Sequence, residues 1–134
     1  MQEPQISRDI LILCCAFAAV MGHVWPMWHQ FKGGKGAATL IGTFLVISPL
    51  LVAVMLITFI VILTLFGFVG LATMLSVASV SLYLLWMGMA INNPLFVYTI
   101  TMTLYLIYTH RSNVQRMISG NEPRNKKVMI FSRR

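Results

Sequence analysis

The chain has 134 residues, 58% of them hydrophobic and only 10% charged, and a formal net charge of +7. From Gly36 to Thr109 there is no Asp, Glu, Lys, Arg or His, so the charged outer faces that a water-soluble helical domain needs are missing and a bilayer is the natural solvent. The positive charge does not indicate nucleic acid, because the aromatic residues lie in the apolar segments and do not interleave with the basic ones.

The N-terminal residues 1–9 carry Glu3, Arg8 and Asp9 and no basic n-region, so no cleavable signal peptide is expected before the first apolar segment, 10–24. Cys14 and Cys15 are adjacent within it; without a second cysteine pair they read as small packing residues, not as a metal site or disulfide framework. Gly22-His23-Val24-Trp25-Pro26 closes this segment, with Trp25 and Pro26 fixing where the span meets the interface. Phe31-Lys32-Gly33-Gly34-Lys35-Gly36-Ala37-Ala38-Thr39 then sets lysines and glycines between stretches that belong in lipid.

The apolar run 37–66 would be about 45 Å long as one helix, against roughly 30 Å of hydrocarbon. Ser48-Pro49 interrupts it, which predicts a short helix over 37–47 and a longer one over 50–66. Gly67 and Gly70 mark a turn before 71–87, and Asn92-Asn93-Pro94 starts the last span, 95–109. Nine of the ten Lys and Arg residues fall either at Lys32 and Lys35 or in the tail from Arg111 to Arg134. Both groups belong in the cytoplasm by the positive-inside rule, so the chain crosses an even number of times between them and three crossings are excluded. The expectation is an all-α, polytopic transmembrane bundle of about five segments in a single domain, 1–134, with residues 1–9 outside. Its weak element is the 37–47 helix, about 16 Å long, which spans only where the membrane thins or neighbours shield its end. Residues 110–134 form a basic cytoplasmic tail, from Ser119 onward a short solvated extension. There is no internal repeat, low-complexity tract or glycosylation acceptor site.

Gly33, Gly34 and Gly36 can take positive φ and let backbone N–H groups converge on phosphate oxygens. The helix beginning near Ala37 points its positive dipole end at the same place, and Lys35 adds a full charge. A nucleotide-binding P-loop is excluded: it requires glycine where His29 stands and Ser or Thr where Gly36 stands. The competing reading is a flexible basic connector that merely obeys the charge rule, against which His23, Pro26 and Thr39 count. A second polar group, His110-Arg111-Ser112-Asn113 with Arg116, stands where the last span emerges. On a continuing helix His110 and Asn113 share one face and can grip a small polar ligand, while the bland reading makes His110, Arg111 and Arg116 an anchoring flank. Parity of the crossings brings this group to the membrane face that holds the glycine segment.

Gly22-His23-x-Trp-Pro26 followed by Phe31-Lys-Gly-Gly-Lys-Gly-x-Ala-Thr-x-x-Gly42 resembles the second signature motif of the bacterial acyl-phosphate:glycerol-3-phosphate acyltransferases, the PlsY family, and His110-x-x-Asn113-x-x-Arg116 is similar to the third. The resemblance covers the chain from Ile10 to about Lys127. It implies a membrane enzyme that transfers a fatty acyl group from acyl phosphate to the 1-hydroxyl of glycerol 3-phosphate, with its motifs on the cytoplasmic face of a bacterial inner membrane, working among membrane lipids without metal or cofactor. Lys35, His110 and Asn113 take the catalytic positions; His23, Lys32, Gly33, Gly34, Gly36 and Thr39 are the expected substrate-binding residues. Acyl-CoA enzymes with an His-x4-Asp motif differ, since no Asp follows any histidine at that spacing.

Two departures bear on activity. The family's first motif, a glycine- and asparagine-rich segment between its first two spans, has no counterpart here, so five of seven spans are expected and a complementing N-terminal segment or second chain would complete the site. Gly70 stands at the apparent position of a substrate-contacting family serine, with Thr73 or Ser76 as candidate replacements. The alternative to the enzyme is a truncated, non-catalytic relative with an anion-binding or structural membrane role.

Overall fold

Local chemistry sets the helix ends in the computed structural model, which describes residues 7–130. Ser7 caps α1 (Arg8–Val24), its hydroxyl accepting the Ile10 N–H at 3.4 Å. A 3-10 turn, Met27–His29, follows, and α2 (Ala37–Ile47) begins after Gly36, whose φ is +83°. Ser48 is extended, as a residue before proline prefers, and Pro49 opens α3 (Pro49–Phe66) at a position where the missing N–H loses no bond. Gly67, at φ +76°, ends α3. α4 (Val69–Trp86) follows, then α5 (Pro94–Thr109), which is capped by Asn93 accepting the Leu95 N–H at 2.9 Å. His110 separates α5 from a short amphipathic α6 (Arg111–Ile118). Glu3 and the last basic pair, Arg133 and Arg134, lie outside the described residues.

Helices α1 to α5 close into a ring in which α1 touches α2 and α5, α3 lies between α2 and α4, and α4 packs on α5. Inside it Val20, Leu40, Phe44, Val77, Val80, Met102 and Leu106 are buried. Polar side chains tie neighbours where no water could substitute: Ser81 donates to Thr99 at 3.0 Å, Thr58 to Ser79 at 3.0 Å, and Thr43 pairs with the Tyr98 hydroxyl at 3.3 Å. The outer surface is as apolar as the core, with Leu50, Ile57, Ile60, Leu82 and Leu104 all exposed. Such a surface suits lipid. The segment from α1 through the following turn, α3 and α4 are each long and apolar enough to cross a bilayer, while α2 and α5 are shorter apolar helices.

Two expectations are revised. Cys14 and Cys15 are exposed on α1 rather than packed in the core, because the buried stripe of that helix runs through Ala16, Val20 and Val24. The tail after Ser119 is solvated in its side chains from 123 to 128, yet its backbone is fastened to the end of α3: Asn125 donates to the Gly67 carbonyl at 2.8 Å and Ile130 to the Thr64 carbonyl at 3.1 Å. The Arg124 guanidinium lies 4.8 Å from the centre of the Phe68 ring. The signal for this docking is long-range, which is why local polarity reads only as an extension.

Candidate functional site

The glycine segment doubles back on the end of α1. Gln30 and Phe31 both take left-handed φ, 54° and 58°, to make the reversal. Gly33 then donates its N–H to the Val24 carbonyl at 3.0 Å. A side chain at Gly33 would strike the carbonyls of His23 and Val24 and the Pro26 ring, and one at Gly34 would strike the His23 imidazole. Gly33 is therefore required for close approach to the helix end, whereas a side chain at Gly34 needs only the exposed His23 ring to move, and among the three only Gly36 has positive φ. With the Gly33 N–H committed to Val24, a backbone anion cradle falls to the N–H groups from Gly34 through Thr39, in the loop and first turn of α2.

Lys35 reaches across the bundle. Its ammonium donates to Asn113 Oδ1, although the two residues are 78 positions apart. Asn113, buried at 8% exposure, uses the other half of its amide as well: Nδ2 donates to Glu122 Oε1 at 2.6 Å, and Glu122 Oε2 receives the Arg116 Nε–H at 2.7 Å. The result is an alternating chain of Lys35, Asn113, Glu122 and Arg116 across the glycine loop, α6 and the docked tail. Burial opposes the charge on Glu122, but the hydrogen bonds from Asn113 and Arg116 and the charges of Arg116 and Lys35 outweigh it and hold the carboxyl below its ordinary range.

His110 sits at the joint of α5 and α6, 4% exposed. Its Nδ1 lies 2.9 Å from the Leu106 carbonyl, which can only accept, so that nitrogen carries the proton and Nε2 is left as an acceptor. Burial pushes the imidazole pKa down, as does the nearby charge of Lys35, against the raising effects of the Leu106 hydrogen bond and Glu122. A neutral ring with a bare nitrogen can accept a hydrogen bond from a hydroxyl. The same joint bends the chain toward the loop: Thr109 donates to the Lys35 carbonyl at 3.0 Å.

Of the residues expected from sequence, Lys35, His110 and Asn113 are brought together at one end of the bundle, with Gly34 and Gly36 flanking the lysine. His23 is exposed, its imidazole lies against Gly34, and it makes no side-chain hydrogen bond to the Lys35 cluster among the described residues. Lys32 is exposed and makes no side-chain hydrogen bond among the described residues. Thr39 faces a groove against Leu11, Ile12 and Cys15 of α1, away from the Lys35 cluster. Glu122 was missed, although it is the lone acid after Asp9 in the sequence, and a single carboxylate amid a basic tail is the signal that could have marked it.

An apolar cleft of about 260 Å³ opens among α2, α3 and α4 beside the cluster, lined by Ala37, Ala38, Phe59 and Thr73, with the buried Val77 and Leu106 as its floor. A larger cavity of about 400 Å³, around Asp9, Met89 and Asn93, lies at the opposite end of the bundle and shares no residue with the cluster. Among the described residues no group of His, Cys, Asp and Glu could hold a metal ion.

Comparison with known proteins gives one answer. The family model for glycerol-3-phosphate acyltransferase matches residues 4–120. The glycerol-3-phosphate acyltransferase of Bacillus velezensis is 39% identical over 115 residues, which are 85% of this chain and 58% of that relative. A crystal structure of PlsY (YgiH), an integral membrane glycerol 3-phosphate acyltransferase in its glycerol 3-phosphate form, superposes with a TM-score of 0.79 at 30% identity, covering 86% of this chain and 56% of that one. Its lysophosphatidic acid form gives 0.74 at 31% identity, covering 81% and 54%. The chain thus spans little more than half the length of these proteins, and the likeness makes it a multi-pass membrane protein.

Proposed function

Because the chain belongs to the glycerol-3-phosphate acyltransferase family, we propose that it forms the glycerol 3-phosphate end of an acyl-transfer site, at which a fatty acyl group passes from acyl phosphate to the 1-hydroxyl of glycerol 3-phosphate and gives lysophosphatidate for phospholipid biosynthesis. The observation that carries this reading is the meeting of Lys35 and Asn113 beside His110, from motifs that lie 78 residues apart. Lys35 and the N–H groups at the start of α2 supply positive charge for the substrate phosphate, and neutral His110 accepts from a glycerol hydroxyl. The acyl chain lies in the cleft among α2, α3 and α4, whose lining includes Ala37, two residues from Lys35.

Acyl phosphate is already an activated anhydride. The 1-hydroxyl oxygen bonds to the acyl carbonyl carbon, the bond from that carbon to the phosphate oxygen breaks, and the departing phosphate takes the hydroxyl proton. Holding two anions together and neutralising their charge is then most of the catalysis, with no protein nucleophile. We place the site on the cytoplasmic face of a bacterial inner membrane, from the clustering of basic residues around it. A single domain with five membrane segments, plus a complementing segment on this chain or a second one, belongs to the same proposal.

The test is lysophosphatidate formation from acyl phosphate and glycerol 3-phosphate by the protein in lipid nanodiscs, with and without the N-terminal part of a relative. Lys35→Ala should lower kcat/KM by on the order of 100-fold; full activity in that variant would remove the role given to Lys35. One observation favours a second reading, a non-catalytic relative with an anion-binding or structural role. A Cβ at Gly70 would sit 3.0 Å from Asn113 Cβ and 3.1 Å from its Nδ2, so a side chain where the family serine is expected would require Asn113 to shift by a few tenths of an ångström. Absence of turnover with the complementing segment present selects that reading.

A further inference from the structure

Lys35 is the one cation of the cluster that is carried on irregular backbone. Residues 32–35 belong to no helix, and the glycines on either side of Lys35 restrict its conformation little. Gly33 is fixed to Val24, and Gly36 accepts the first bond of α2 from Leu40 at 2.9 Å. Between these points, the only hydrogen bond given to the loop backbone by another element, among the described residues, is the 3.0 Å one from the Thr109 hydroxyl to the Lys35 carbonyl. Thr109 is also the residue before His110, and its oxygen lies 3.3 Å from His110 Nδ1.

We infer that Thr109 is a positioning residue: its hydroxyl fastens the backbone of Lys35 to the end of α5, and so fixes the spacing between the Lys35 ammonium and the His110 ring. The consequence for substrate rests on the function proposed above; the fastening does not. A hydroxyl has one proton, and Thr109 has a competing acceptor in the Leu106 carbonyl, also at 3.0 Å. Donation to Leu106 is a bond within the helix that threonine can make anywhere. Donation to Lys35 joins two motifs 74 residues apart. The Asn113 amide holds the tip of the lysine side chain, and Thr109 holds its root, so the long flexible stem is restrained at both ends before any anion arrives.

Thr109→Val keeps the branched shape and removes the donor, and the Lys35 carbonyl freed by it is near solvent, so the fold should survive. Thr109→Ser keeps the donor. The first readout is independent of activity: protein in nanodiscs is treated briefly with an amine-reactive ester, and mass spectrometry gives the labelling of Lys35 relative to Lys32, an exposed lysine of the same loop. Thr109→Val should raise that ratio about 3- to 10-fold, the range of a single hydrogen bond, and Thr109→Ser should return it to the wild-type value. The second readout is kinetic: Thr109→Val should raise KM for glycerol 3-phosphate by a similar factor with kcat and the KM for acyl phosphate little changed. An unchanged labelling ratio in Thr109→Val, or a raised ratio in Thr109→Ser, overturns the inference. If the wild-type protein with its complementing segment turns nothing over, the proposed function falls, and the labelling ratio still decides the fastening.

Discussion

Asn113 holds a lysine with one amide atom and a glutamate with the other, so the protonation of its surroundings controls the whole cluster. His110 and Glu122 both have pKa values held below the ordinary ones, and the sign of the pH dependence follows. Over the range where unfolded His110 would take up a proton, the folded ring stays neutral; its contribution to stability is complete above about pH 6.5 and is lost as pH falls toward the lowered value. Glu122 contributes above the ordinary carboxylate value and loses that contribution as pH falls through its own lowered one. Thermal unfolding should therefore be flat near neutrality, decline below about pH 6.5 and decline again in the carboxylate range. His110→Gln should abolish the first decline and keep the second. If the first decline persists in that variant, another group is responsible for it.

At the scale of elements, the helix ends at Ser48, Gly67 and Asn93 were legible because each is decided within a few residues, whereas Gly70, expected in the turn, lies inside α4. Ser48-Pro49 forces an extended break, Gly67 supplies a left-handed stop, and Asn93-Pro94 supplies a cap and a first turn. Lys35, His110 and Asn113 were legible through the resemblance of two motifs, and the positive-inside rule led to the expectation that they share one face. The docked tail was not legible, since its bonds to Gly67 and Thr64 join positions roughly sixty residues apart and involve backbone atoms that every sequence possesses. Thr109 was read only as the last residue of an apolar span, because the partner it reaches is a carbonyl in a distant loop. Glu122 is where the tail engages the cluster, and its side chain is 5% exposed while that of Arg116 is 43% exposed. Glu122→Gln keeps an acceptor for Asn113 but removes the negative charge between Arg116 and Lys35. Because Arg116 can rehydrate, the loss should be about 1–2 kcal/mol rather than the larger penalty of stranding a buried ion. Glu122→Ala should lose more, since the Asn113 Nδ2 group then has no acceptor. Thermal unfolding of the two variants in one detergent measures the difference, and equal melting temperatures for all three proteins would show that the tail contributes nothing through this contact.

For the whole molecule the question is how an 11-residue helix takes part in a membrane bundle. At about 16 Å, α2 reaches little more than half the hydrocarbon thickness. It begins in a loop held at the end of α1, turns over at Ser48, and returns as α3, whose 18 residues extend about 27 Å. Two of its residues, Leu40 and Phe44, are fully buried in the ring, and Phe44 meets Tyr98 edge to face with 5.7 Å between ring centres. One face of the helix is thus held by its neighbours while Leu45 and Val46 at its far end stay exposed, and the Ser48 turn needs only to reach a depth where water or headgroups can solvate it. The topology we propose makes this a crossing, with Lys32 and Ser119 inside and Asn92 outside. It is tested by placing single cysteines at those three positions in a background where Cys14 and Cys15 are serine, and labelling intact cells with a membrane-impermeant maleimide. Asn92→Cys should label in intact cells, while Lys32→Cys and Ser119→Cys should label only after lysis. Labelling of Lys32→Cys and Ser119→Cys from opposite sides would make the number of crossings between them odd, turn α2 into a re-entrant element, and separate Lys35 from the membrane face on which acyl transfer is proposed.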